Sequence, residues 1–358
     1  MSLFLCVDCG GSKTSAVICN AEGTIVGRAL GGPSNASYLS VEDFTAAIRF
    51  TVSDALKTTT TPPSVDPVPL PPVGETPFAA AWFGVSGLDS PAAVAEVIPV
   101  LSTLLGIPAG PRLAVANDTI LLAAPVRMHP DIKHAVGVIC GTGSIAVSFE
   151  ETESGFAELG RVGGWGWILG DEGGGFHVGR EAVRQMVAET DAASVTGKPP
   201  PESVMTKLIL ERFGLKSVLD ILGAVHVPDP NMSVMNPQQH LPQFSLVREK
   251  RLSSLSPLVF SAAFDHNDPL ALRVLQTTAG IFATQISTIL GDKDEKRPRL
   301  VKAQDAVISF GGSLAGIEAY RNLLLDALAA KGHVFRYVEF VDDAAATGAV
   351  GLATSFKK

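Results

Sequence analysis

Two short loops in the 358-residue chain combine glycine with hydroxyl and charged side chains in a pattern suited to phosphate chemistry. The first, Asp8-Cys9-Gly10-Gly11-Ser12-Lys13-Thr14, follows the apolar run Leu3 to Val7. The second, Gly141-Thr142-Gly143-Ser144, follows Ala135 to Cys140. Glycine lacks the Cβ that holds an anion away from the backbone. N–H groups around Gly10, Gly11 and Gly143 can therefore reach phosphate oxygens, joined by the Ser12 and Thr142 hydroxyls. Asp8, at the end of the first strand, can hold a hydrated Mg²⁺. One Gly-Gly hairpin is common in β-rich proteins, but two of the same design, one in each half of a chain, can grip the phosphates of one nucleotide from both sides. Neither loop is a GxxxxGK[ST] sequence, and the first strand–loop unit has no GxGxxG, so the Walker and dinucleotide-binding patterns are set aside.

A second group of residues suits a polyhydroxylated acceptor. Asn117-Asp118-Thr119 ends a strand and opens a helical stretch. One polar residue suffices to cap a helix, and a carboxylate at a strand's C-terminal end facing a cleft is where a general base belongs, which makes Asp118 the candidate catalytic residue. The segment Gly160 to Ala182, GRVGGWGWILGDEGGGFHVGREA, places Trp165 and Trp167 beside Asp171 and Glu172. Aromatic planes and carboxylates together suit a sugar ring and its hydroxyls, while the structural alternative is a packed Trp with a capping Asp. Asn35, in Ser34-Asn35-Ala36-Ser37, and Ser86-Gly87, in FGVSGLD, are candidate substrate supports. Gly311-Gly312-Ser313 is expected to bring a helix N-terminus to a phosphate or base edge. His177 reads as a structural histidine, because no second His or Cys stands at metal spacing.

These residues need elements to hold them. Leu3 to Val7, Thr14 to Cys19 and Thr24 to Ala29 read as strands. After a helix over Val41 to Leu56, Ala79 to Val85 and Arg112 to Ala116 are again strands, with a helix over Ala92 to Leu105 between them. Ile120 to Met128 reads as helical. The opening pattern of strand, glycine loop, strand, turn, strand returns at Ala135 to Cys140, Ile145 to Phe149 and Phe156 to Leu159, which points to two related α/β domains. The division falls at 1–130 and 131–358. A proline-rich insertion at about 57–77 is expected as a disordered or extended surface loop, and a helical insertion spans about 180–300, including helices over Arg180 to Glu189 and Phe244 to Phe264. A strand over Ala306 to Phe310 and a helix over Ala315 to Ala330 follow. The final helix, within 343–358, is expected to pack back onto the first domain.

Composition agrees with a folded, compact chain: 46% of residues are apolar and 18% charged. Lys plus Arg number 28 and Asp plus Glu 36, so the net charge is 28 − 36 = −8. That argues against nucleic-acid or anionic-membrane partners, which require a basic face. The four cysteines, Cys6, Cys9, Cys19 and Cys140, make no disulfide framework in a chain of this length and suggest a reducing compartment. The Cys6–Cys9 spacing has no second CxxC to complete a zinc site. No secretory leader or membrane-length apolar run stands out, and a cytoplasmic protein is expected.

The loops in this order resemble the actin-like ATPase superfold of sugar kinases, actin and heat-shock chaperones. Within it, GGWGWILGDEGGG resembles the GGWG…GDEGS motif of the N-acetylglucosamine kinase and BadF/BadG-type ATPase family, and the similarity extends from Leu3 to Ala353. Cys9 and Ser12 depart from the family's usual Gly and Thr. The resemblance implies two ribonuclease-H-like domains, each a mixed sheet flanked by helices, with the site in the cleft between them. It implies that Asp8, Gly10, Gly11, Ser12, Lys13, Thr142 and Gly143 handle Mg²⁺ and ATP, with Gly312 and Ser313 at the adenosine. It further implies that Asn35, Ser86, Gly87, Asp118, Ser144, Gly164, Trp165, Gly166 and Asp171 surround an amino sugar whose 6-hydroxyl yields its proton to Asp118. N-acetylglucosamine is the expected acceptor and a homodimer the expected assembly. Glucosamine, N-acetylmannosamine or N-acetylmuramate as acceptor, and a sugar-sensing protein without catalysis, are the alternatives.

Overall fold

The protein is described by a computed structural model covering residues 2–11, 13–153, 155–230, 242–292, 297 and 299–356. Its first half runs β1 (Leu3–Cys9), β2 (Thr14–Cys19), β3 (Ile25–Gly31), α1 (Val41–Ala55), β4 (Phe78–Val85), α2 (Pro91–Leu105) and β5 (Leu113–Ala116). A 3₁₀ helix over Asp118–Met128 leads to β6 (His134–Cys140), β7 (Ser144–Thr152) and β8 (Gly155–Gly163). Six helices follow: α3 (Gly175–Thr196), α4 (Val204–Phe213), α5 (Asp220–His226), α6 (Arg248–Ser253), α7 (Ser256–Phe264) and α8 (Pro269–Ser287). The chain closes with β9 (Ala306–Gly311), α9 (Glu318–Ala329), β10 (Tyr337–Phe340) and α10 (Ala344–Ser355).

The strands form two five-stranded sheets of the same design, β3-β2-β1-β4-β5 and β8-β7-β6-β9-β10. In each, a hairpin meander supplies three antiparallel strands and crossovers through helices supply two parallel ones. The repeat expected from the recurring strand–glycine–strand pattern is thus a repeat of topology. Alternation along β1 sorts two cores. Leu3, Leu5, Val7 and Cys9 face α1 and α2, while Phe4 and Cys6 face α10, and all are buried. The final helix covers β1 and β2, and Gly348 comes so close to Cys6 that a side chain there would strike the sulfur.

The helical reading of Ile120 to Met128 takes a tighter form in the structure. With three residues per turn, positions three apart stack in rows. Leu121 and Ala124, in register with Asp118, pack against the first sheet, and Ala123 and Val126 pack against the second. Pro125 has no N–H to give an α-helical ladder. The segment is a wedge between the sheets, and Asp118 heads the row facing the first.

Several sequence expectations are corrected. The proline-rich segment opens in a 3₁₀ turn, Leu56–Thr59, and beyond it is an irregular, largely exposed surface loop as expected, but a tethered one: Leu70 is buried in the first core and Val68 N–H donates to Ser53 O at 3.1 Å. Prolines exclude regular structure but leave carbonyls and apolar side chains free to dock. The single helix over Phe244 to Phe264 is broken into a 3₁₀ turn, α6 and α7, with Pro257 in the first turn of α7. Helix α3 begins at Gly175 rather than Arg180, and α9 begins at Glu318 rather than Ala315. Among the described residues no helix is long and apolar enough to cross a membrane.

Candidate active site

The β1–β2 hairpin places Asp8 at the base of the first loop. Gly10 N–H donates to Lys13 O at 3.0 Å, which closes the loop, and Ser34 N–H donates to Gly10 O at 3.0 Å, which ties the loop to the Asn35 segment. Ser12 lies outside the described residues. Burial pushes the Asp8 carboxyl up to about 6, helped by the Asp118 and Asp343 carboxylates and opposed by the Lys13 ammonium. Asp343, the N-cap of α10 and the ion-pair partner of Arg28, had no signal in the sequence to link it to Asp8.

Asn35, Ser86, Gly87 and Asp118 come together. Asn35 Nδ2 donates to Ser86 Oγ at 3.1 Å, and Ala36 N–H donates to Ser86 O at 3.0 Å. Gly87 has φ +88°, and a Cβ there would lie 2.6 Å from Asn35 Oδ1, so only glycine lets these two loops touch. Asn117 takes the capping role, its Oδ1 accepting from Thr119 N–H at 3.1 Å. Burial raises the Asp118 pKa and the Asp89 carboxylate raises it further, while hydrogen bonds from Thr119 N–H and the Ser86 hydroxyl act in the opposite sense.

These residues line a cleft of about 290 Å³ together with Ser37, Tyr38, Asp89, Asn117 and Arg161, which the sequence reading did not assign. Arg161 belongs to β8 of the second sheet. Its Nη1 lies 3.2 Å from Asp89 Oδ1, which also accepts from Asn117 Nδ2 at 3.2 Å, so an ion pair joins the two halves beside Asp118. Both residues stand inside motifs noticed in the sequence, but their pairing depends on how the sheets face each other.

The second loop is built with its neighbours. Gly141 N–H donates to Gly143 O at 2.9 Å, and the first N–H groups of α3 dock on the loop, Gly175 to Gly141 O at 2.8 Å and Phe176 to Thr142 O at 3.0 Å. Asp171, with φ +64°, turns its buried carboxylate against Gly143, where the Ser144 and Gly166 N–H groups bond to it. Ser144 Oγ donates to Glu172 O at 2.6 Å. Ser144, Gly166 and Asp171 thus meet at the second loop, and Gly164 stands against Ile145 and the Arg161 guanidinium, both of which line the Asn35–Asp118 cleft. Trp165 remains 57% exposed, whereas Trp167 packs edge-on against Phe176. Gly312 and Ser313 lie in a turn beside the second loop, with Leu314 N–H donating to Cys140 O at 2.9 Å, and not at the start of α9.

His177 is structural: its Nδ1 accepts from Gly173 N–H at 2.9 Å, and burial, with Arg180 and Arg184, pushes its pKa down to about 4. Cys6 and Cys9 sit on opposite faces of β1, and burial holds both thiols well above their ordinary range, so the CxxC spacing unites nothing.

A relative from Dictyostelium discoideum, N-acetyl-D-glucosamine kinase, is 26% identical over 306 residues, 83% of each chain. The N-acetylmuramic acid/N-acetylglucosamine kinase of Clostridium acetobutylicum is 24% identical over 284 residues, covering 78% of this chain and 76% of its own. The fold is shared with a candidate N-acetylglucosamine kinase from Porphyromonas gingivalis, at TM-score 0.60 and 20% identity over all of both chains. A second such structure, from Chromobacterium violaceum, has TM-score 0.58 and 20% identity over 99% of each. Residues 5–354 match the BadF/BadG/BcrA/BcrD ATPase family, and the chain belongs to it.

Proposed function

We propose that this protein is an ATP-dependent amino-sugar kinase that transfers the γ-phosphoryl group of ATP to the 6-hydroxyl of N-acetylglucosamine, giving N-acetylglucosamine 6-phosphate and ADP. The observation that carries the reading is Asp118: a half-buried carboxylate of raised pKa, hydrogen-bonded by the Ser86 hydroxyl, in a cleft that also presents Asn35. The two kinase relatives support the choice of acceptor.

Phosphoryl transfer requires positioning and charge neutralisation more than covalent work by the protein. In this reading Asn35 and Ser86 orient the sugar, and Asp118 accepts the 6-hydroxyl proton as the sugar oxygen bonds to phosphorus and ADP departs. The glycine loops hold the phosphates with backbone N–H groups and the Thr142 hydroxyl. The Asp8 carboxyl, held near Asp118 at a pKa of about 6, fits a divalent cation in chemistry, since carboxylate oxygens suit Mg²⁺ and a positive ion would relieve both burial and repulsion. Mg²⁺ bound there supplies neutralisation of phosphate charge.

The test is ADP release with no sugar and with N-acetylglucosamine, glucosamine, N-acetylmannosamine and N-acetylmuramate, followed by mapping of the product phosphate. Release stimulated most by N-acetylglucosamine, with phosphate on O6, is expected. Sugar binding without turnover, or hydrolysis indifferent to sugar, overturns the proposal.

A further inference from the structure

The first loop carries a cation of its own, Lys13, close enough to Asp8 to lower its pKa. The second loop, Gly141-Thr142-Gly143-Ser144, contains no charged residue. The first N–H groups of α3 are spent on the loop's own carbonyls, and the neighbouring carboxylate of Asp171 adds negative charge beside it. An anion gripped by this loop would lack a positive partner unless one came from elsewhere in the fold.

One does. Lys250 of α6, 108 residues away in sequence, places its Nζ 3.5 Å from Thr142 Oγ1. The helix that presents it is anchored: the next residue, Arg251, is fully buried and its guanidinium donates to the carbonyls of Gln243, Ala224, Val227 and Leu246. α6 also packs on α3, the helix docked on the second loop. Lys250 itself stays 52% exposed, and its ion pair with Glu249, at 3.7 Å between two partly exposed side chains, is of the weak surface kind that a phosphate oxygen readily displaces. An ammonium held by a weak surface pair, on a rigid mount beside a phosphate-loop hydroxyl, is the arrangement of an anion ligand.

We propose that Lys250 is a nucleotide-binding residue, the second sheet's counterpart of Lys13, its ammonium taking a phosphate oxygen of ATP beside the Thr142 hydroxyl. The identity of the ligand rests on the ATP-dependent reading above; the placement of the cation does not.

The experiment measures equilibrium binding of ATP and of adenosine to the full chain without sugar, for wild type, Lys250→Met and Lys250→Arg. A charge-assisted contact predicts that Lys250→Met weakens ATP by about 10- to 100-fold. Adenosine affinity should stay within about twofold, Lys250→Arg should recover most of the loss, and the salt dependence of ATP binding should be shallower in Lys250→Met. ATP affinity within twofold of wild type in Lys250→Met, or an equal loss for adenosine, overturns the proposal. Amino-sugar turnover by the wild type is scored separately: a chain that binds ATP but phosphorylates no sugar overturns the kinase reading while the affinity comparison still decides Lys250. A wild type that binds no ATP overturns both.

Discussion

Gly143 and Asp171 stand so close that a Cβ on the glycine would lie 2.8 Å from the aspartate's carboxyl carbon and from both of its oxygens. Asp171 adopts a left-handed backbone, uncommon for a residue with a side chain, to bring its carboxylate there. The GDEGGG segment and the GTGS loop are therefore one structural unit.

Gly143→Ala forces these groups apart. The variant should fold with a stability loss of about 1–3 kcal/mol, typical of overpacking. Its kcat/KM for ATP should fall more than about tenfold, because the added Cβ pushes on the loop that would hold the phosphates. Steady-state kinetics in both substrates checks this, and a loss confined to the sugar would place the loop wrongly.

Asp118→Asn should lower turnover by about 10²- to 10⁴-fold, the range for losing a general base, with ATP binding retained. It should also stabilise the chain at pH 8. The folded carboxyl has a raised pKa, so its protonated form is favoured by folding; that stability is present at low pH and lost as pH rises through the folded value. Thermal midpoints of the variant and the wild type should converge toward pH 3.

Asp89 raises the Asp118 pKa. Asp89→Asn should therefore move the acid limb of kcat/KM to lower pH, since a base with a lower pKa stays ionised further into acid. An acid limb that does not move would show that Asp118 is not the group being titrated. Stability should change by less than about 1 kcal/mol, because the Asp89–Arg161 pair is solvent-exposed.

Burial, with Arg180 and Arg184, pushes the His177 pKa down to about 4, against the Glu172 carboxylate 2.9 Å from its Nδ1. Unfolding lets the histidine bind a proton at its ordinary value near 6.5, so stability is full above that pH and is lost as pH falls from 6.5 toward 4, by up to about 3 kcal/mol. Urea titrations at pH 7, 5.5 and 4.5 should show the decline. His177→Asn, whose side-chain oxygen can accept from Gly173 N–H, should flatten it.

Much of the fold and part of the site are legible in the sequence. The alternation of β1, the glycine loops and their recurrence after Ala135 are local patterns, set by backbone geometry and by which side chains avoid water. They are sufficient to predict two sheets of one design. Asn117 beside Asp118 likewise reveals locally that one residue caps and the other is free. The 3₁₀ form of Asp118–Met128 does not show in the same way, because it answers to two sheets pressing from different sides. The proline-rich segment docks for a similar reason, through Leu70 in a core assembled elsewhere.

Read locally, the chain offers a set of chemistries: residues that can bind phosphate, accept a proton or face a sugar. Which of them meet depends on how the sheets and helices pack. The fold sets Asp171 against Gly143 and Ser144, and brings Arg161 to Asp89 across 72 residues and Lys250 to Thr142 across 108. Propensity and capping act within a few residues, whereas charge and burial act through space. A carboxylate's pKa and partner depend on what the rest of the chain packs against it.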